Sequence, residues 1–423
     1  MAPSPGELLG VGMVGYAFMG AAHSQAWRTA GRFFDLPLQP DLAVLCGRDK
    51  DKASAAAEKL GWRSVETDWR ALLARDDVAL VDVCSPGDTH AEIAIAALDA
   101  GKHVLCEKPL ANTVDEARAM VAAASRAAQQ GVRSMVGYSY RRVPAVALAR
   151  RLVEQGRIGE IRHVRAQYLQ DWIVDPEFPL VWRLQRSAAG SGALGDIGAH
   201  IVDMAQYLTG DLLTGVSALT ETFVRERPLP SASSGLAASA GSAANRAGRG
   251  TVDVDDAALF LGRFSGGAVA SFEATRFALG RKNALRIELN GSRGSLAFDQ
   301  ERMNELEFYS DEEPDVAGFR RILVTEPTHP YVGVWWPPGH LLGYEHSFSN
   351  QAADLVRDVG EGRDPVPSFA DGLRVQLVLD AVERSASSGS WEEVAEAKGE
   401  GASQRAPASE ERTEPESRPM RGE

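Results

Sequence analysis

Short apolar runs alternate with longer stretches in which apolar residues recur every three or four positions, and this alternation fills the first third of the chain. Residues 8–13 have the length of a buried strand and 17–30 that of a helix. A second strand is expected at 42–45. Asp49 can then cap a helix over 50–60 that stops at Gly61, with a short helix at 68–74. A β-branched strand follows at 78–84, a helix at 89–100 ended by Gly101, and a strand at 103–106. A helix over 113–130 ended by Gly131 and a short strand at 134–137 complete the series. Strands separated by helices of this length imply right-handed crossovers and a parallel sheet.

The pattern changes near residue 155. Residues 161–169 alternate polar and apolar, and further strands are expected at 257–264, 268–275, 285–290 and 294–298. Short turns such as Phe264-Ser265-Gly266-Gly267 join them, a hairpin signal that predicts an open antiparallel sheet. A helix is expected over 195–208, and two late helices, 345–359 and 369–385, are expected to return onto the first domain. The division that results is a loose leader (1–7), a first domain (8–143) and a second (144–397). Within the second, the Ser/Ala/Gly-rich stretch 228–250 reads as a mobile loop, and the polar segment 398–423 reads as a disordered tail.

Length and charge narrow the partners. A chain of 423 residues exceeds one usual core. With 45 basic against 58 acidic residues the net charge is −13, which argues against nucleic acid and anionic membranes. No apolar run approaches the roughly 20 residues that span a bilayer. The start MAPSPGELLG has neither a basic nor an apolar signal region, so a cytoplasmic protein is expected. Cys46, Cys84 and Cys106 end expected buried strands and read as small core residues in a reducing compartment. No metal site is expected: His90, His103, His163, His329, His340 and His346 lack ligand spacing, and no serine sits in a G-x-S-x-G turn.

Four stretches can carry chemistry, and the first three each have a plain structural alternative: a ligand-free βα turn, a solvent-facing loop lysine, and a capping aspartate followed by a structural histidine. Gly10-Val11-Gly12-Met13-Val14-Gly15 matches G-x-G-x-x-G between a strand and a helix, the setting of a dinucleotide turn. There Gly10 would allow the turn, Gly12 the approach of a pyrophosphate, and Gly15 close packing of helix on strand. Glu107-Lys108-Pro109 ends an expected parallel strand, where ligand crevices open; Lys108 can donate to a substrate oxygen. Gly195-Asp196-Ile197-Gly198-Ala199-His200 sets Asp196 and His200 four apart on a helix, with a helix-weakening Gly198 between them that invites close approach by a ligand. His200 suits proton acceptance at neutral pH. The run Tyr168-Leu169-Gln170-Asp171-Trp172, followed by Trp182-Arg183, suits a sugar ring or a subunit interface. His90 lines or supports the loop Ser85-Pro86-Gly87-Asp88-Thr89. The second strand ends Cys46-Gly47-Arg48-Asp49, and Arg48 fits either a 2′-phosphate or the adenine face.

The glycine motif, Glu107-Lys108-Pro109 and Gly195–His200, in that order, resemble the glucose–fructose oxidoreductase / inositol dehydrogenase / rhizopine-catabolism (Gfo/Idh/MocA) family. Tyr140-Arg141-Arg142-Val143-Pro144-Ala145, 168–172 and 190–196 resemble its levoglucosan dehydrogenase branch. The resemblance implies an α/β protein: an N-terminal Rossmann parallel sheet, then an α+β domain with a large open, mostly antiparallel sheet through which dimers or tetramers form. It implies catalytic roles for Lys108, Asp196 and His200. Gly10, Gly12, Gly15, Phe18 and Met19 match its pyrophosphate turn, and Ser85, Pro86, His90 and Glu107 its cofactor loops. Substrate contacts are expected from Tyr140, Arg141, Gln170, Trp172, Trp182 and Arg183. The implied activity is NAD(P)-dependent oxidation of a secondary hydroxyl of a sugar, anhydrosugar or cyclic polyol to a ketone. A glycosidase with transient hydride transfer and a non-catalytic NAD(P) sensor are the other readings. Branch likeness favours NAD and Arg48 favours NADP; NAD is the expectation.

Overall fold

The computed structural model describes residues 7–230, 248–312 and 314–396. The expected leader up to residue 6, the centre of the 228–250 loop and the tail lie outside them. The first domain runs β1 (Glu7–Val14), α1 (Phe18–Phe33), β2 (Leu38–Cys46), α2 (Lys50–Leu60), β3 (Ser64–Glu66), α3 (Trp69–Leu73) and β4 (Leu80–Val83). It continues with α4 (His90–Asp99), β5 (His103–Cys106), α5 (Val114–Ala128) and β6 (Ser134–Val136). The strands form one six-stranded sheet in the order β3-β2-β1-β4-β5-β6, parallel throughout. Helices cover both faces, which is why β4 is buried at every position and reads as a continuous apolar run apart from Asp82. Local signals set the helix ends. Asp49 accepts from the Lys52 N–H, Gly61 takes φ +83°, and Thr113 with Glu116 forms a reciprocal cap on α5.

The second domain follows as α6 (Pro144–Glu154), β7 (Ile161–Leu169), α7 (Arg186–Ala189), α8 (Ala199–Thr209), β8 (Leu213–Glu221), β9 (Glu226–Pro228) and β10 (Arg249–Thr251). Then come β11 (Ala257–Phe264), β12 (Val269–Thr275), β13 (Ala284–Gly291), β14 (Gly294–Asp299), β15 (Glu305–Ser310) and β16 (Arg320–Leu323). Last are α9 (Tyr344–Gly360), α10 (Phe369–Ser388) and β17 (Glu392–Glu393). Nine strands form one sheet, β16-β15-β14-β13-β7-β12-β11-β8-β17, antiparallel except where β7 runs parallel to β12. One face is buried and the other open, as the alternation in β11 records: Ala258, Phe260, Gly262 and Phe264 face in, Leu259, Leu261 and Arg263 face out.

The structure differs from the sequence expectation at several places. Helix α6, opened by Pro144 at its first position, and strands β8, β15 and β16 were not expected. The ends of the expected 228–250 loop are ordered, because β9 and β10 pair as a short ribbon. Helix α9 lies on α1, with Tyr344 facing Phe18 and Phe348 facing His23, and α10 lies on α5.

Candidate active site

A crevice of about 450 Å³ opens where the carboxyl ends of β1, β4 and β5 meet the second domain. The first domain contributes Phe18, Met19, Ser85, Pro86, His90, Glu107 and Lys108; the second contributes Gln170, Trp182, Arg183, Asp196 and His200, and Tyr140 stands between.

The glycine turn is real, but its register differs from the expected one. Strand β1 continues to Val14, so Gly10 and Gly12 lie inside it. A Cβ on Gly10 would sit 1.9 Å from the Asp77 carbonyl oxygen and one on Gly12 2.8 Å from Leu72, so these glycines admit neighbouring chain, not ligand. The turn is Gly15-Tyr16-Ala17. Gly15 has φ +98°, and a Cβ on Gly20, in the first turn of α1, would meet the Gly15 carbonyl oxygen at 2.3 Å. The working spacing is therefore Gly15, Ala17, Gly20. Helix α1 begins without a side-chain cap or an acidic residue in its first turn, so its leading N–H groups and positive dipole end are available to a phosphate.

Beyond this turn, β5 delivers Glu107 and Lys108. The Lys108 ammonium donates to the Asp196 carbonyl oxygen (2.6 Å) and lies 3.5 Å from Asp196 Oδ1. Asp196 sits in a wide π-helical turn, Leu194–Gly198, that leads into α8; such turns are frequent at functional sites. The turn is pinned by Asp255, which accepts from the N–H groups of Gly192 and Leu194. Gly198 does not face the crevice. A Cβ there would meet Ala274 of β12 and Leu194 at 3.4 Å, ordinary contact distances.

Electrostatics separate the two acid–base groups. Burial resists ionisation of Asp196, but Lys108, Arg183 and Arg276 outweigh it and hold the carboxyl well below the usual carboxylate range. Arg276, fully buried, places Nη1 3.5 Å from Asp196 Oδ2. Burial and then the Lys108 ammonium push the His200 imidazole well below its ordinary 6.5. Its ring is stacked on Tyr140, 4.5 Å between centroids. His200 is thus a neutral proton acceptor beside a cation and a carboxylate.

A hydrogen-bond chain lines the far wall. Trp172 Nε1 donates to Gln170 Oε1, and Gln170 Nε2 donates to Asn283 Oδ1, which also accepts from the Tyr168 hydroxyl at 2.6 Å. With its oxygen committed, Asn283 keeps its amide donor for the crevice it lines. Arg183 Nη1 is buried without a partner among the described residues, and its side chain lines the same space.

Three further expected site residues stand elsewhere. Arg141 turns away from the crevice and binds Asp203 through Nε and Nη2; a buried guanidinium needs this carboxylate more than a sugar does. Trp172 packs edge-on to Phe178 and only backs Gln170. Arg48 is exposed at the end of β2, outside the crevice lining. Conversely, Asn283, Tyr344, Arg276, Gly20 and His23 escaped the sequence reading. Only Gly20 had a local signal, the second overlapping glycine spacing.

These features match known proteins along the chain. Residues 9–138 match the model of an oxidoreductase family with an NAD-binding Rossmann fold, and residues 146–297 that of the GFO/IDH/MocA C-terminal domain. Levoglucosan dehydrogenase of Pseudarthrobacter phenanthrenivorans is 44% identical over 390 residues, 91% of this chain and 98% of that protein. A crystal structure of an oxidoreductase domain protein from Kribbella flavida superposes with a TM-score of 0.87 at 67% identity, covering 92% of this chain and all of the other. A levoglucosan dehydrogenase in complex with NADH and levoglucosan gives 0.85 at 42% identity, again over 92% of this chain and 100% of that one. The chain is therefore a member of the GFO/IDH/MocA family of NAD-binding oxidoreductases.

Proposed function

We propose that this enzyme oxidises a secondary ring hydroxyl of a neutral sugar or anhydrosugar, levoglucosan-like at C3, to a ketone, with NAD as acceptor. The observation that carries the reading is the meeting of Lys108, Asp196 and neutral His200 on one crevice wall. The free start of α1 and the Gly15–Gly20 turn fit a dinucleotide pyrophosphate. Bound there, NAD supplies the hydride acceptor. His200 takes the hydroxyl proton. Lys108 stabilises negative charge growing on the same oxygen, and Asp196 holds the Lys108 ammonium and adjacent hydroxyls in place. Arg183 and Asn283 donate to the remaining sugar oxygens.

NAD(H) turnover across levoglucosan, glucosides and inositols, followed by nicotinamide absorbance with NAD and NADP, tests this reading. Net reduction of NAD by an anhydrosugar is expected, with NADP slower. Glycoside cleavage without net reduction would replace it with the transient-hydride glycosidase. Cofactor binding without any turnover would leave the sensor.

The acid limb of kcat/KM is expected well below pH 6.5. His200 works as a base when unprotonated, and its depressed value keeps it so through neutral pH. The same shift predicts stability lost as pH falls below 6.5, because the unfolded chain then binds a proton that the folded site resists. Lys108→Met removes a cation beside the ring, so the limb should move to higher pH.

We further read the enzyme as a cytoplasmic homo-oligomer that associates through the open face of the nine-stranded sheet. On that face Leu259 is paired across strands with Leu219, and Leu261 follows two residues on; all three are exposed. The three cysteines are free. Among the described residues no helix is long and apolar enough to cross a membrane. Leu259→Lys with Leu261→Lys is expected to yield monomers by light scattering; an unchanged mass would move the interface elsewhere.

A further inference from the structure

We propose that His23 is a positioning residue: its imidazole, protonated on both nitrogens, bridges Asp82 and Glu107 and so fixes the Glu107 carboxylate at the cofactor end of the crevice. The inference rests on dinucleotide binding as read above.

His23 lies on α1 and is 2% exposed. Nδ1 is 2.9 and 3.0 Å from the two Asp82 oxygens, and Nε2 is 3.0 Å from Glu107 Oε1. Ionised carboxylates only accept, so both ring nitrogens must donate for neither contact to set lone pair against lone pair. A neutral imidazole satisfies one side alone. The groups facing the ring agree. Asp82 and Cys84 come from β4 and its end, Glu107 follows β5, and α9 presents the uncharged Phe348 ring. Burial opposes protonation, but Asp82, with Cys84 behind it, outweighs burial and carries the imidazole well above 6.5.

Asp82 explains why the charge is there. It stands fully buried in the middle of the parallel sheet, where an unpaired carboxylate would be costly. It accepts from Trp27 Nε1 at 2.7 Å and from the Cys84 thiol at 3.4 Å as well as from His23. His23, Asp82 and Cys84 also lie close enough together to resemble a metal site. Their hydrogen bonds, however, already occupy the donor atoms.

Glu107 is the charged member of the network that lines the crevice, beside the Cys84 thiol. His23 holds Oε1, and the Lys108 N–H donates to Oε2 at 3.2 Å. Gly137 closes the third side: a Cβ there would come within 2.7 Å of Oε1. The remaining lone pairs of a carboxylate fixed in this way can only take donors, such as hydroxyls on the ribose of a dinucleotide. Asp82 and His23 touch no ligand; their effect passes through Glu107.

Nitrogen-15 NMR of the histidines in the intact enzyme, with calorimetric titration of NAD, tests the proposal. One buried histidine should carry protons on both nitrogens at neutral pH and keep them above the ordinary imidazole range. His23→Gln should weaken NAD about tenfold and change the sugar KM at saturating NAD less than about twofold. Asp82→Asn, milder in shape, removes the carboxylate that sustains the charge. Its NAD affinity should match wild type at acidic pH and fall about tenfold as pH rises and the ring deprotonates. A merely structural Asp82 would give no such profile.

A singly protonated His23 at neutral pH, a folded His23→Gln enzyme with wild-type NAD affinity, a flat profile for Asp82→Asn, or a stoichiometric metal ion in the purified protein would each overturn the proposal. Failure of wild-type enzyme to bind NAD would instead sink the functional reading and the positioning role with it, while the proton count on His23 would still be decided.

Discussion

His200→Ala is expected to lower kcat at least about 10²-fold while NAD affinity stays within about twofold of wild type. The split follows from position. His200 opens α8 in the second domain, away from the glycine turn and the start of α1, so its loss leaves the cofactor end intact. What disappears is a neutral base held beside Lys108 and against the Tyr140 ring. Water admitted to the gap can take the proton, but without that orientation. The acid limb set by the imidazole should vanish too, since the base that produces it is gone. Stopped-flow measurement of hydride transfer under saturating NAD reads the effect directly. Turnover near wild type would remove His200 from the reaction and leave Lys108 and Asp196 to explain it alone.

Asp203→Ala is expected to reduce folding stability by about 3–5 kcal/mol, the range for breaking a buried ion pair by removing one partner. Asp203 is 3% exposed and Arg141 8%, and the guanidinium engages both carboxylate oxygens. Removing the carboxylate strands a buried cation behind the crevice. Denaturant titration measures the loss. Sugar KM should barely move in enzyme that remains folded, because Arg141 does not line the site. A raised KM with unaltered stability would return Arg141 to the substrate, as its sequence neighbourhood implies.

That reversal shows where sequence patterns stop. Elements with a clean period are legible to the residue: α2, β5, β7 and β11 begin and end where apolar spacing and caps put them. Strand β16 is legible nowhere, since its edge position leaves no buried face to alternate with. Helix α6 carries a signal that the sequence expectation leaves out, Pro144 ahead of apolar residues spaced three and four apart. The glycine turn was found in kind and displaced in register, because Gly10, Gly12 and Gly15 fit the same spacing that Gly15, Ala17 and Gly20 fill. Strand length decided between them, and strand length depends on pairing with β2 and β4.

The crevice divides in the same way. Lys108, Asp196 and His200 come from compact motifs. Asn283, Arg276 and Tyr344 come from positions with no motif, and only the path of the nine-stranded sheet and of α9 brings them in. The buried partners of Arg141 and His23 lie 62, 59 and 84 residues away in the chain, beyond any local window.

The roof over α1 also sets a timetable. Trp27 and Phe34, in the core of the nucleotide half, share one buried cluster with Trp335, Phe348 and Leu355, residues that a ribosome makes long after them. The half synthesised first must therefore wait, one flank uncovered, until α9 has emerged. A chain cut before α9 lacks Phe348 and Leu355, so that flank should stay apolar and prone to association.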